Sequence, residues 1–190
     1  MEQVDTVPVV DKTLPAWTRP ERREAAPLSF DEVYQRHQLA VYRYCLARLA
    51  DPEAARDAAA TTFVKALRAY GRARPDATGV RLWLLRIAGN VVKDEVRHRR
   101  RSWRLLGALL RSVPAPPDPE ERVLLGSEVE QVMDALTQLS DRDQRLVALR
   151  CGAGLAYRDV AQAMGMTENA ARVATGRALG RLRQTVEGRG

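Results

Sequence analysis

The chain has 190 residues, 45% of them hydrophobic and 5% aromatic, which allows one ordinary or two small globular domains but argues against large aromatic-lined pockets. Its net charge of +7 is concentrated: residues 81–111 hold nine Lys/Arg against two acids, and residues 114–131 hold five acids against one Arg. A basic block beside an acidic tether points to a polyanion-binding face, with nucleic acid the first candidate partner and an acidic membrane surface the second.

Residues 1–27 carry Pro8, Pro15, Pro20 and Pro27 without periodicity, which predicts a mobile leader with no signal-peptide core. No apolar run approaches the roughly 18 residues that span a bilayer, so membrane insertion is not expected. Ser29-Phe30-Asp31-Glu32 is a capping-box start. Behind it Phe30, Val33, Tyr34, Val41, Tyr42, Cys45 and Leu49 recur at helical spacing. Asp51-Pro52-Glu53 starts a second helix, with a cap, a first-turn proline and an acid at the positive end of the dipole. That helix is expected to bury Ala59, Phe63, Ala66, Leu67 and Tyr70 and to be broken by the stretch from Gly71 to Gly79. A third runs from about Val80 to Arg101.

Trp103 to Leu110 reads either as a frayed extension of the third helix or as a linker segment. Ser112 to Pro119 is expected to be linker, since its four prolines exclude a helix. Helices are then predicted over Val123–Leu139, Asp141–Arg150 and the pair within Tyr157–Arg183. No strand-period alternation appears, so the expected fold is all-α, in two small helical domains joined by a flexible linker.

On the third helix Arg86, Asn90, Lys93, Arg97 and Arg100 fall in one stripe, opposite Leu84, Leu85, Ala88, Val91 and Val92. Long cations suit phosphates, and an amide both donates and accepts at a base edge. The other reading is a solvated helix face, although only Asp94 and Glu95 supply acids nearby. Trp83 fits either a core position or a base-stacking one.

Residues 157–183 have helix-turn-helix spacing: Ala161 is small at the crossing, Gly165 suits a positive-φ turn, and Val160, Met164 and Met166 fill the angle. Thr167 is the expected N-cap, which places Glu168, Asn169 and Arg172 at the end that enters a major groove. Ala171, Ala174, Thr175, Ala178, Leu179 and Leu182 form the predicted buried face. Arg172, Val173, Gly176, Arg177, Gly180 and Arg183 form the outward one.

Cys45 and Cys151 fall in different modules, and with only His37 and His98 besides they show no zinc-ligand spacing. Buried, reduced thiols in a cytoplasmic protein are expected, with no metal and no cofactor. No paired carboxylates, phosphate loop or Cys/His cluster supports catalysis, so the chain is not expected to be an enzyme.

Three blocks of the sequence, FDEVYQRHQLAVYRYCLARLADPEAARDAAATTFVKALRAY, VRLWLLRIAGNVVKDEVRHRRR and LTQLSDRDQRLVALRCGAGLAYRDVAQAMGMTENAARVATGRALGRLR, together resemble the sigma-70 family in its extracytoplasmic-function (ECF) type. The resemblance implies a sigma-2-like helical bundle over 28–101 and a sigma-4-like helix-turn-helix domain over 120–187, with residues 102–119 as linker. It implies a protein that binds core RNA polymerase, directs it to promoter DNA and helps open the duplex. By the same resemblance Arg86, Asn90, Lys93, Asp94, Arg97 and Arg100 would lie at the −10 element. Thr167, Glu168, Asn169, Arg172, Thr175, Gly176 and Arg177 would lie at the −35 element. Asp57, Thr61, Thr62 and Phe63 would dock on the polymerase clamp, and Trp103 to Leu110 would thread toward its active-site cleft. An inhibitory anti-sigma factor is common in that family. Arg56, Ala60 and Thr61 stand where the family usually has an acid and a Gln-Glu pair. The alternative implied by that departure is a helix-turn-helix regulator of the same fold that does not itself initiate transcription.

Overall fold

The computed structural model describes residues 28–73, 75–76, 79–109 and 127–188. The expected leader and the Pro-rich linker fall outside the described residues. Every regular element described is helical, so the chain is all-α as the sequence predicts.

Helix α1, Phe30–Leu49, opens with the capping box in full. The Glu32 amide donates to Ser29 Oγ at 3.3 Å, and the Ser29 amide donates to Glu32 Oε2 at 2.8 Å. It ends at Ala50, in the left-handed region at φ 51°, whose N–H closes on the Leu46 carbonyl at 2.8 Å. Asp51 then caps helix α2, Pro52–Ala73, by accepting from the amides of Glu53 at 3.0 Å and Ala54 at 3.1 Å.

Helix α2 passes Gly71 and ends at Ala73, inside the expected break between Gly71 and Gly79. One glycine costs a helix only about 1 kcal/mol. Tertiary contacts hold that end: the Tyr70 hydroxyl donates to the Leu28 carbonyl at 2.6 Å, and its ring meets Phe30 edge-on at 5.4 Å. Trp83 packs beside Tyr70 at 6.1 Å and belongs to the edge of the core. Leu67, expected inside, is 58% exposed on the outer crest of α2.

Helix α3, Val80–Leu109, continues past Arg101, so the stretch from Trp103 to Leu109 has a helical backbone. Nothing there breaks a helix before Pro114 except Gly107, whose single cost the run of Leu, Arg and Ala absorbs. Helices α4 (Ser127–Gln138), α5 (Asp141–Val147), α6 (Tyr157–Met164) and α7 (Glu168–Glu187) follow. Between α5 and α6 the chain widens into a π-helical turn, Ala148–Gly152, where the sequence suggests an unbroken helix to Arg150.

The two sets of helices share one apolar core, which includes Tyr44 and Cys45 of α1, Leu149 of the π turn and Leu155 beyond it. Gly152 lies so close to α1 that a Cβ there would sit 2.9 Å from the Arg43 carbonyl oxygen. Polar contacts rim this seam. The Arg48 side chain is 8% exposed and donates to the Asp141 carboxylate at 2.6 Å, the Asp141 carbonyl at 3.1 Å and Gln144 Oε1 at 3.0 Å. Arg81 of α3 donates to the Ala153 carbonyl. His37 of α1 is buried with no hydrogen-bond partner on Nε2, and burial, then the Arg81 and Arg36 charges, hold its pKa below the usual imidazole value. Cys45 is buried and its thiol pushed up to about 12 by desolvation, whereas Cys151, expected inside, is exposed on the outer side of the π turn. The described residues contain no disulfide, no cluster fit to hold a metal ion, and no helix long and apolar enough to cross a membrane.

Candidate nucleic-acid interface

The first cationic face is the outer stripe of α3. Leu84, Leu85, Ala88, Val91 and Val92 are buried against α1 and α2, which turns Arg86, Asn90, Lys93 and Arg97 to solvent. Asn90, Lys93, Asp94 and Arg97 share a groove of about 560 Å³ with Lys65, Ala69 and Ile87. Lys65 comes from α2 and adds a cation that the single-helix reading misses; it becomes visible only once α2 packs beside α3. Arg86 lies a turn earlier and lines a separate groove with Asp159 and Gln162 of α6. The side chain of Arg100 is outside the described set.

Within the stripe, Asp94 approaches Arg97 only at 4.0 Å, with both side chains over 60% exposed. A pair that open to water contributes little and leaves the guanidinium available for a phosphate. Arg99, just off the stripe, is committed to the fold, at 2.8 Å from both Asp51 and Glu95. Burial pushes the Asp51 carboxyl up, but the Ala54 amide, Arg99 and the Glu53 amide outweigh it and leave it below the ordinary carboxylate range.

The second face is α7. Gly165 adopts φ 66° and ψ 42° after α6, and Thr167 Oγ1 accepts from the Ala170 amide at 3.3 Å, so turn and cap form as the sequence predicts. Val160 and Ala161 are buried at the crossing. Glu168, Asn169, Arg172, Gly176 and Arg177 stand exposed on one side. The Tyr157 ring is flanked by two guanidinium groups, Arg150 at 4.7 Å and Arg172 at 5.1 Å. Arg172 also lies 3.5 Å from Glu168, so its position at the start of α7 is set by ring and acid together. Arg181 instead ties α7 to α5 through Asp143 at 2.8 Å.

Three of the residues assigned by resemblance are inside. Thr175 is 0% exposed among Ala171 and Ala178, with no partner for its hydroxyl, and does not reach a ligand on the outer face. Its angle on α7 already placed it on the buried side, so periodicity was the better guide there. On α2, Thr62 is 0% exposed and spends its hydroxyl on the Ala58 carbonyl at 2.7 Å, and Phe63 is 6% exposed beneath Tyr34 and Phe30. They shape the crest of α2 from below. Asp57 and Thr61 are exposed, as are Arg56 and Ala60. The crest also exposes Val64 and Leu67, and across an α1–α2 groove of about 630 Å³ stand Tyr34 and Leu39. Neither Val64 nor Leu39 was picked out from the sequence; the signal was their position off each helix's buried arc.

Comparison with known proteins shows the family. The family described as Sigma-70 region 2 matches residues 33–102, and that described as Sigma-70, region 4 matches residues 129–182. The chain is 34% identical to the ECF RNA polymerase sigma factor ShbA of Streptomyces griseus subsp. griseus over 160 residues, covering 80% of this chain and 83% of that one. It is 31% identical to the ECF RNA polymerase sigma factor BldN of Streptomyces coelicolor over 154 residues, covering 79% of this chain but only 58% of BldN. In structure it resembles the sigma factor RpoE of Bartonella quintana, solved with the anti-sigma factor NepR, at a TM-score of 0.64 and 20% identity over 83% of this chain and 96% of that one. That likeness speaks to the fold.

Proposed function

The chain belongs to the ECF branch of the sigma-70 family, and from that premise we propose that it binds core RNA polymerase and directs it to promoters, with α3 at the −10 element and α7 at the −35 element. One observation carries this most: a single chain presents two outward cationic helix faces, each with an asparagine in it. Asn90 lies among Lys65, Lys93 and Arg97, and Asn169 beside Arg172. Cations hold phosphates whatever the sequence, while an amide discriminates between bases, so each face both anchors and reads. The working modules are residues 28–101 and 120–187, with 102–119 joining them and 1–27 as a leader. The exposed crest of α2, with Arg56, Asp57, Ala60 and Thr61, is the polymerase-docking surface.

Elements named −10 and −35 have centres about 25 base pairs apart, roughly 85 Å of duplex at about 3.4 Å per base pair. The helices packed across the Arg48–Asp141 seam form a body far smaller than that: a compact chain of this size has a radius of gyration of about 16 Å. Engaging both elements therefore requires the seam to open on the polymerase. On this reading the protein supplies no chemistry of its own, works in the cytoplasm, and has an anti-sigma factor as its expected inhibitor.

The departure on α2 favours a second reading, a DNA-binding regulator that does not initiate. Footprinting with and without core polymerase separates the two. A sigma factor protects both elements and exposes unpaired thymines near −10 only with polymerase present. A regulator protects DNA alone and never opens it. If the α2 crest docks on polymerase, Ala60→Gln with Thr61→Glu strengthens that binding.

A further inference from the structure

On α7 the outward row Asn169, Val173, Gly176, Gly180 runs at spacing 4, 3 and 4, flanked by Arg172 and Arg177. Val173 is 45% exposed at the middle of it. A lone exposed apolar residue ordinarily means little. Here its surroundings matter. A Cβ added at Gly176 or at Gly180 would meet nothing within 4 Å, and neither glycine has a positive φ. Neither is required by backbone geometry or by internal packing, yet each weakens the helix relative to alanine. The result is one branched apolar side chain standing above a bare helix backbone, with an amide before it and guanidinium groups beside it.

The surface complementary to that arrangement is a base edge. In the major groove the four base pairs present donors, acceptors and a single apolar group, the 5-methyl of thymine. The two glycines let the helix approach the duplex closely, and the arginines on either side are placed for the flanking phosphates. We propose that Val173 is a specificity-determining residue that packs against the 5-methyl group of one thymine in the element read by α7, with Gly176 and Gly180 providing the close approach. This rests on the reading that α7 enters the major groove at the −35 element. It adds a reader that neither the resemblance nor the cationic residues supply, and it takes over the role that the buried Thr175 cannot fill.

Deoxyuridine tests it, because it pairs like thymidine and lacks only that methyl group. Duplexes bound by the full-length protein with core polymerase are first selected from a random library. Each thymine of the −35 element is then replaced singly by deoxyuridine, and affinities are measured for the wild type and Val173→Ala. The expected result is one position where the replacement weakens wild-type binding by roughly fourfold, the worth of one methyl group removed from water. Val173→Ala weakens binding to the thymine duplex by a similar factor and is indifferent to the replacement. A second variant, Gly176→Leu, restores a side chain to the bare strip and weakens binding to every duplex while the protein melts no lower. If no thymine is sensitive, or if Val173→Ala keeps the full sensitivity, the proposal is overturned. Failure of the underlying reading looks different: Arg172→Ala and Arg177→Ala would then leave affinity unchanged, and selection would return no −35 preference.

Discussion

Gly152→Ala probes the seam between the two sets of helices without touching either cationic face. The new Cβ would lie 2.9 Å from the Arg43 carbonyl oxygen, 3.2 Å from its carbon and 3.4 Å from the Tyr44 Cα. All three are main-chain atoms, so no rotamer change relieves the clash, and α1 and the π turn must separate by roughly 0.5 Å to reach ordinary contact distances. Tyr44, Cys45 and Leu149, none more than 2% exposed, belong to the core that this line runs through. A gap of this size forfeits about a quarter to a half of each dispersion contact it opens, and overpacking of this kind costs about 1–3 kcal/mol. Alanine returns up to about 1 kcal/mol of helix propensity, leaving a net loss of up to about 2 kcal/mol. For a chain of this length that lowers Tm by up to roughly 8 °C, read by far-UV circular dichroism. Gly176→Ala is the matched control, since it gains the same propensity with nothing to clash against, and it should melt higher. If Gly152→Ala melts above the wild type, α1 does not pack on the π turn in solution and there is no seam to open. If the seam opens on polymerase, promoter binding should survive the substitution at a temperature where the variant is folded.

Arg97→Ala should weaken DNA binding and reduce the slope of log affinity against log salt by about 0.9, one phosphate contact; an unchanged slope removes Arg97 from the phosphate set. Thr175→Val replaces a buried, unpartnered hydroxyl with a methyl group and should match or exceed wild-type stability, by up to about 1 kcal/mol, with −35 affinity unchanged; a loss of DNA affinity at equal stability would return Thr175 to the interface. The depressed pKa of His37 means that the unfolded chain binds more protons than the folded one once pH falls to the ordinary imidazole value of about 6.5. Stability from that group is therefore fully present above about pH 6.5 and declines as pH falls toward the folded-state value. Urea melts between pH 7.5 and 5.5 should show the decline and His37→Gln should flatten it, whereas equal slopes would assign the dependence elsewhere.

The features that sequence exposed are those settled within a few residues. The Ser29–Glu32 box, the Asp51-Pro52 start and the Gly165–Thr167 turn each satisfy helix-end amides locally, and all three form as expected. The α3 stripe was visible because its charge and its apolar positions separate cleanly by angle. Features resting on partners far along the chain were not visible. Arg48 meets Asp141 across 93 positions, and the contact of Gly152 with α1 has no local signature. The stretch after Arg101 stayed open between helix and linker because a basic run decides neither, and the outcome depends on what packs against it. Thr62, Phe63 and Thr175 show the opposite failure: they were carried over by family likeness to an interface, although helical periodicity already placed Thr175 inside.

The most direct test of the central claim is transcription in vitro with core polymerase and fragments of the genome. Adding this protein should produce discrete starts, each preceded at constant spacing by the same pair of sequence elements, and Asn90→Ala and Arg172→Ala should each abolish or redistribute them. If core polymerase gives the same starts with and without the protein, while the protein alone still binds DNA, it is not a sigma factor and the regulator reading stands in its place.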